Sequence, residues 1–176
     1  DITYTNTPEF GLEDAVPFMV DAFGSIITNS LRTMMAYANY FYKKGDYLSS
    51  RDALLWLIDL LEGVKIDRNA SCYVDKVIAP CYSECANFSL LLGETDKVEP
   101  YMRRAYKAAM LFDSAPTCKV ENIKFCIGDI QNATTYDDLG ESATAAVVKQ
   151  ITQENRNEQL LSIWKKIAQE SCGGAE

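Results

Sequence analysis

Tyr40-Phe41-Tyr42-Lys43-Lys44-Gly45-Asp46-Tyr47 decides the fold of this chain, because the same pattern returns twice. Leu90-Leu91-Leu92-Gly93-Glu94-Thr95 and Tyr136-Asp137-Asp138-Leu139-Gly140-Glu141 repeat a glycine followed by an acid after a helix-like apolar stretch. The first two glycines lie 48 residues apart (45 to 93), and the third follows 47 further on (93 to 140). Glycine takes a positive φ without steric cost and so ends a helix cleanly. The acid behind it suits the N-terminus of the next helix. A helix, a tight turn and a helix at a fixed period mark an α-helical repeat array, an architecture that presents binding surfaces.

Outward from these turns, the chain reads as all-α, with about six or seven main helices. Residues 1–11 read as an extended lead-in, 12–171 as one helical repeat domain, and 172–176 as a flexible tail. Met19, Ala22, Phe23, Ile26, Ile27, Leu31, Met34, Met35, Ala38 and Phe41 recur at helical spacing up to the Gly45 stop. A second helix is expected from Leu48 to Leu61, ended by Gly63. A third spans about Asn69 to Leu92, with Pro80 predicting a kink or a break near Ala79. A fourth runs from about Lys97 to Phe112, and two closing helices cover about 142–152 and 155–170. Residues 113–139 are too irregular for an assignment.

Composition narrows the function. Of the 176 residues, 48% are hydrophobic, which supports a globular core. The net charge of −8 opposes a grip on nucleic acid, which needs a basic face to displace counterions. Arg103-Arg104 with Lys107, and Lys165-Lys166, read as solvated helix faces. No apolar run reaches the ~18 residues of a membrane span. Asp1-Ile2-Thr3-Tyr4 begins neither a signal peptide nor a chain with an initiator Met, so a processed or excised piece is expected. The six cysteines lack the spacing of a small disulfide framework, and reduced thiols in the cytoplasm are expected.

Catalytic chemistry has no foothold in the pattern. There is no histidine to act as a base, and the isolated glycines form no phosphate loop. A non-enzyme without a cofactor is expected. Cys81 and Cys85 share a helix face and could contribute two ligands to a zinc site, with Cys72, Cys118 or Cys126 completing it. The plainer reading is that both are buried thiols. Asp137 and Asp138 are adjacent and so do not share a helix face; one of them as an N-cap is the better reading.

The segment around Gly45 resembles the tetratricopeptide pattern, with Gly45-Asp46-Tyr47 at the turn, Ala38 at a close-approach position and Phe41 at an aromatic one. Tyr82, Ala86, Gly93 and Ala105 fit a second unit, and Tyr136 and Gly140 remain of a third. The period exceeds the usual ~34, and Ser50 and Val98 replace an alanine. More specifically, the chain resembles the C-terminal helical domain of Firmicutes transcriptional regulators that carry a lambda-repressor-like helix-turn-helix. The strings behind this are Gly45-Asp46-Tyr47 with Ala53-Leu54, Ala105 to Pro116, Ile123 to Asp129, and Thr135-Tyr136-Asp137-Asp138-Leu139-Gly140-Glu141-Ser142-Ala143. No helix-turn-helix is recognised in this segment.

The resemblance implies a right-handed superhelix of antiparallel helix pairs and a regulatory domain that binds a peptide, a small effector or a partner protein. It implies a homodimer as well, with the long first helix and the closing helix around Leu160, Ile163 and Trp164 as surfaces. Six residues before each turn glycine lie Asn39 and Asn87, on the helices that line the groove in such arrays. An amide offers both a donor and an acceptor to a peptide main chain. Arg32 and Tyr42 share that face of the first helix, and Ser83 that of the third. Arg32 would meet a ligand carboxylate. These amides are expected to be exposed without ligand. The alternatives are a stand-alone protein–protein scaffold and a cysteine-based metal or redox sensor.

Overall fold

In a computed structural model that describes residues 25–68, 71–114, 143–152 and 158–173, the apolar stripes fold as helices. They are α1 (Ser25–Lys43), α2 (Tyr47–Arg68), α3 (Ser71–Leu91), α4 (Thr95–Asp113), α5 (Ala143–Thr152) and α6 (Glu158–Gly173). No strand occurs among the described residues. The lead-in 1–11, the stretch 115–139, Tyr136-Asp137-Asp138 and the third turn at Gly140 lie outside them. Helix α6 continues to Gly173, two residues into the stretch read as tail.

Gly45 and Gly93 both have φ of +77°. The bonding around them is the same. Gly45 N–H donates to the Tyr42 carbonyl at 3.0 Å, and Asp46 N–H to the Phe41 carbonyl at 2.9 Å. Gly93 N–H donates to the Leu90 carbonyl at 3.1 Å, and Glu94 N–H to the Ser89 carbonyl at 2.9 Å. This is the Schellman closure, which satisfies carbonyls that a helix end leaves unpaired. Each turn folds the next helix back on the last, giving the hairpins α1–α2 and α3–α4. The acids then diverge. The Asp46 carboxylate caps α2 by accepting the Ser49 N–H at 3.1 Å, whereas Glu94 makes no side-chain cap to α4.

Helix α3 is the centre. It packs against α2, α4 and α5, and α4 carries α5 and α6. Leu54, Leu57, Ile58 and Leu61 of α2 meet Val74, Val77, Ile78, Cys85 and Phe88 of α3 in one continuous core with Val98, Met102, Ala105 and Ala109 of α4. Ala38 and Ala86, 48 residues apart, are fully buried where the helices approach closely. Ser50 takes the place of an alanine at no cost in unpaired groups, because its hydroxyl donates to the Ala38 carbonyl at 2.5 Å.

The expected stop at Gly63 fails here, and of the two outcomes expected at Pro80 the break does not occur. Gly63 does not end α2, which continues to Arg68; it is exposed within the helix and its φ is not positive. Without the left-handed angle and the closing bonds, a glycine is only a weak helix residue and not a stop. Pro80 does not break α3, which runs on through it. Proline forfeits one backbone bond, and the surrounding core holds the helix together across that gap. The cap on α5 was also unexpected. Asp113, at the end of α4, accepts the N–H groups of Ala143 at 2.7 Å and Thr144 at 3.1 Å.

A Cβ built on Gly45, Gly63 or Gly93 meets nothing within 4 Å, so conformation alone separates the three sites. Gly63→Ala should raise the unfolding free energy by ~0.5–1 kcal/mol by removing unfolded-state freedom. Gly45→Ala and Gly93→Ala should each lower it by ~1–2 kcal/mol, the cost of a left-handed alanine. Urea unfolding of the three variants checks the opposite signs.

Candidate functional site

The residues singled out from sequence lie on α1 and α3, and the structure encloses most of them. Asn39 and Asn87 are each only 6% exposed, and Ser83 is buried one turn before Asn87. The expectation of exposed amides is therefore not met. Residue 87 sits on the helix that is enclosed by α2, α4 and α5, which sequence spacing could not foresee. Oδ1 of Asn39 has no hydrogen-bond partner among the described residues, an arrangement that costs ~1–3 kcal/mol for a buried acceptor. Arg32 is half-buried on α1. Tyr42 packs its ring 5.8 Å from Phe88 and 6.1 Å from Tyr47, so its aromatic face is used in joining α1, α2 and α3.

Sequence reading missed further polar groups in the same interior. Asp75 and Glu84 of α3, Arg51 of α2 and Gln150 of α5 are all buried. Ser83 and Asn87, four residues apart, share one side of α3, and Asp75 and Glu84, nine apart, fall on opposite sides of it. Ser83 and Asn87 were the available signal, two polar residues at helical spacing inside an otherwise apolar run. No hydrogen bond among the described residues joins Asn39 to the buried polar groups of α3.

Arg51 explains why Glu94 abandons the cap. Its Nη1 donates to Ser89 Oγ at 2.9 Å and also to Glu94 Oε2. Ser89 in turn donates to the Cys85 carbonyl at 2.8 Å. Burial works against the Arg51 charge, but the hydrogen bond and the opposite charge of Glu94 prevail and hold its pKa above the ordinary value. The hydrogen bond from Arg51 holds the Glu94 carboxyl below the ordinary 4.5, with Lys97 assisting. The α1–α2 hairpin is thereby tied to the turn of the next one.

Cys81 and Cys85 are free thiols, 1% and 0% exposed. Burial pushes both thiols up, and the charge of Glu84 adds to this, so the reactive thiolate is disfavoured. Among the described residues, no three Cys, Asp or Glu side chains gather as a metal would need. Cys118 and Cys126 lie outside those residues. One member of each basic pair is engaged: Glu99 accepts from Lys166 at 2.8 Å and from Arg103 at 3.2 Å, and Arg103 reaches Glu170 at 2.8 Å. Leu160 and Trp164 of α6, expected at a dimer surface, are buried within the chain, with Trp164 edge-on to Tyr106 at 5.2 Å. A shallow depression of about 570 Å³ lies on the outer side of α6 along Leu161, Lys165 and Gln169.

No helix among the described residues is long and apolar enough to cross a membrane. Neither a family model, nor a curated protein, nor a solved structure matches this chain.

The tie between Arg51 and Glu94 has a signed pH dependence. The folded-state pKa of Glu94 lies below its unfolded value, so its stabilisation is complete above the ordinary glutamate value of 4.5 and is lost as pH falls through the lower folded value. Glu94→Gln should remove this contribution at neutral pH and flatten the acid side of the stability profile. Thermal unfolding of both proteins between neutral pH and the carboxylate range checks it; parallel profiles would mean the tie contributes nothing.

Proposed function

We propose that this chain is a non-catalytic regulatory domain: a tetratricopeptide-like, right-handed array of antiparallel helix pairs that binds a peptide, a small effector or a partner protein. It would act in the cytoplasm as a homodimer and pass its bound state to an attached DNA-binding domain. The observation that carries this reading is the pair of identical turns at Gly45 and Gly93, with Ala38/Ala86 and Asn39/Asn87 at matching depths 48 residues apart. Matching units place equivalent side chains along one direction, as an extended ligand requires. The buried polar residues of α1 and α3 support a ligand held by hydrogen bonds.

Burial of the amides changes what binding would entail. A ligand would have to enter by parting helices, so it would select an arrangement in which Asn39 and Asn87 become accessible. Unequal affinity for the two arrangements is what couples a site to a distant domain. The deeply buried thiols favour this reading over a cysteine-based sensor.

Asn39 supplies the test. As an unpartnered buried acceptor it contributes little to the unliganded fold, so Asn39→Ala should leave the unfolding free energy unchanged or raise it by up to ~1 kcal/mol. The same substitution should weaken capture of a small molecule or peptide from source-cell extract, read by native mass spectrometry. Destabilisation by more than ~2 kcal/mol with capture intact would make Asn39 a structural residue.

A further inference from the structure

Asp46 and Glu94 hold equivalent places, 48 residues apart and each directly after a turn glycine, yet their carboxylates do different things. Asp46 accepts the Ser49 N–H at 3.1 Å and caps α2. Glu94 makes no side-chain cap, although Lys97 stands where Ser49 does in the first unit. Its Oε2 accepts from Nη1 of Arg51 and its Oε1 from Lys97 Nζ at 3.4 Å. The first turn of α4 is left without a carboxylate cap, at a helix end where negative charge is favoured.

Arg51 draws Glu94 away, and its own donors are only partly used. Its side chain is 6% exposed, and Nη1 is shared between Glu94 and the Ser89 hydroxyl, the latter at 2.9 Å. Nε is buried and has no hydrogen-bond partner among the described residues. A guanidinium presents its donors as a planar fork, which suits a carboxylate held by two parallel bonds. Glu94 meets that fork at Nη1 alone. With 35% of its side chain exposed, Glu94 is the solvent-facing member of the pair.

We propose that Arg51, with the Ser89 hydroxyl and Lys97, is a binding site for the carboxylate of a small ligand, and that Glu94 fills it in the unliganded chain as an internal stand-in. An incoming carboxylate takes the fork, and Glu94 turns back to cap α4 as Asp46 caps α2. The exchange leaves neither charge alone: the guanidinium changes partner, and the released carboxylate gains the helix N-terminus. The short tether of Glu94 gives it a high effective concentration, so the site favours a ligand that adds contacts beyond its carboxylate. The site uses neither Asn39 nor Asn87, and its test is separate from that of the proposed function.

Acetate is the probe, used on the full chain, with circular dichroism confirming that each variant is folded. Glu94→Ala vacates the site and should lower the melting temperature. Sodium acetate at neutral pH should restore it saturably, and sodium chloride at equal ionic strength should not. In the native chain the half-effect concentration of acetate should be at least about tenfold higher, because Glu94 competes. The double variant Arg51→Met/Glu94→Ala removes the cation with its partner, an exchange that buried pairs tolerate, and should respond to acetate no more than to chloride. Amide exchange reads the turn of Glu94. Arg51→Met frees its carboxylate, so the Asp96 and Lys97 amides should exchange at least about threefold more slowly than in the double variant, the lower end of what an N-cap contributes. An acetate response in Glu94→Ala that matches chloride, or one that persists without Arg51, would overturn the site. Equal half-effect concentrations in the native chain and Glu94→Ala would overturn Glu94 as its occupant. Equal exchange with and without Glu94 in the Arg51→Met background would overturn the return to the cap.

Discussion

Gly45 and Gly93 each carry a φ of +77°, an angle that other residue types adopt only with strain, and the order of the helices depends on it. Once the chain turns there, α1 must pack on α2 and α3 on α4. The apolar stripes then meet without further instruction, and Ala38 and Ala86 let the backbones come close. Ser50 shows how tightly that approach is specified, since its hydroxyl reaches the carbonyl of Ala38 itself.

Between the hairpins a different kind of force operates. Arg51 is buried on α2, and its charge is met by Glu94 at the next turn and by the Ser89 hydroxyl. Leaving a buried guanidinium unpaired is costly, so the pairing selects one arrangement of the second hairpin over slipped alternatives. At the other end of α4, Asp113 plays a comparable part by capping α5. Apolar burial supplies the cohesion of the array, and these polar links choose its geometry.

Much of this was legible locally. The turns at Gly45 and Gly93, the extent of α4 and α5 and the core stripes of α2 and α4 follow from spacing alone. What was not legible depended on distant residues. Gly63 resembles a stop until the absence of a closing turn shows it to be an ordinary helical position. Arg51 and Glu94 are 43 residues apart, and Asp113 lies 30 from the helix it caps. The depth of Asn87 was not legible because enclosure of α3 is a property of the assembled helices. Asp75 and Glu84 are buried on opposite sides of α3, and no spacing marked them.

The bond from Ser50 to Ala38 also bears on motion. It pins α1 to α2, and a pinned pair can neither slide nor separate without losing a buried bond. The second hairpin has Val98 in place of Ser50 and so lacks that pin; its tether is the Arg51–Glu94 pair at the Gly93 turn, so motion of the first hairpin bears on the second through a charge and not through a backbone carbonyl.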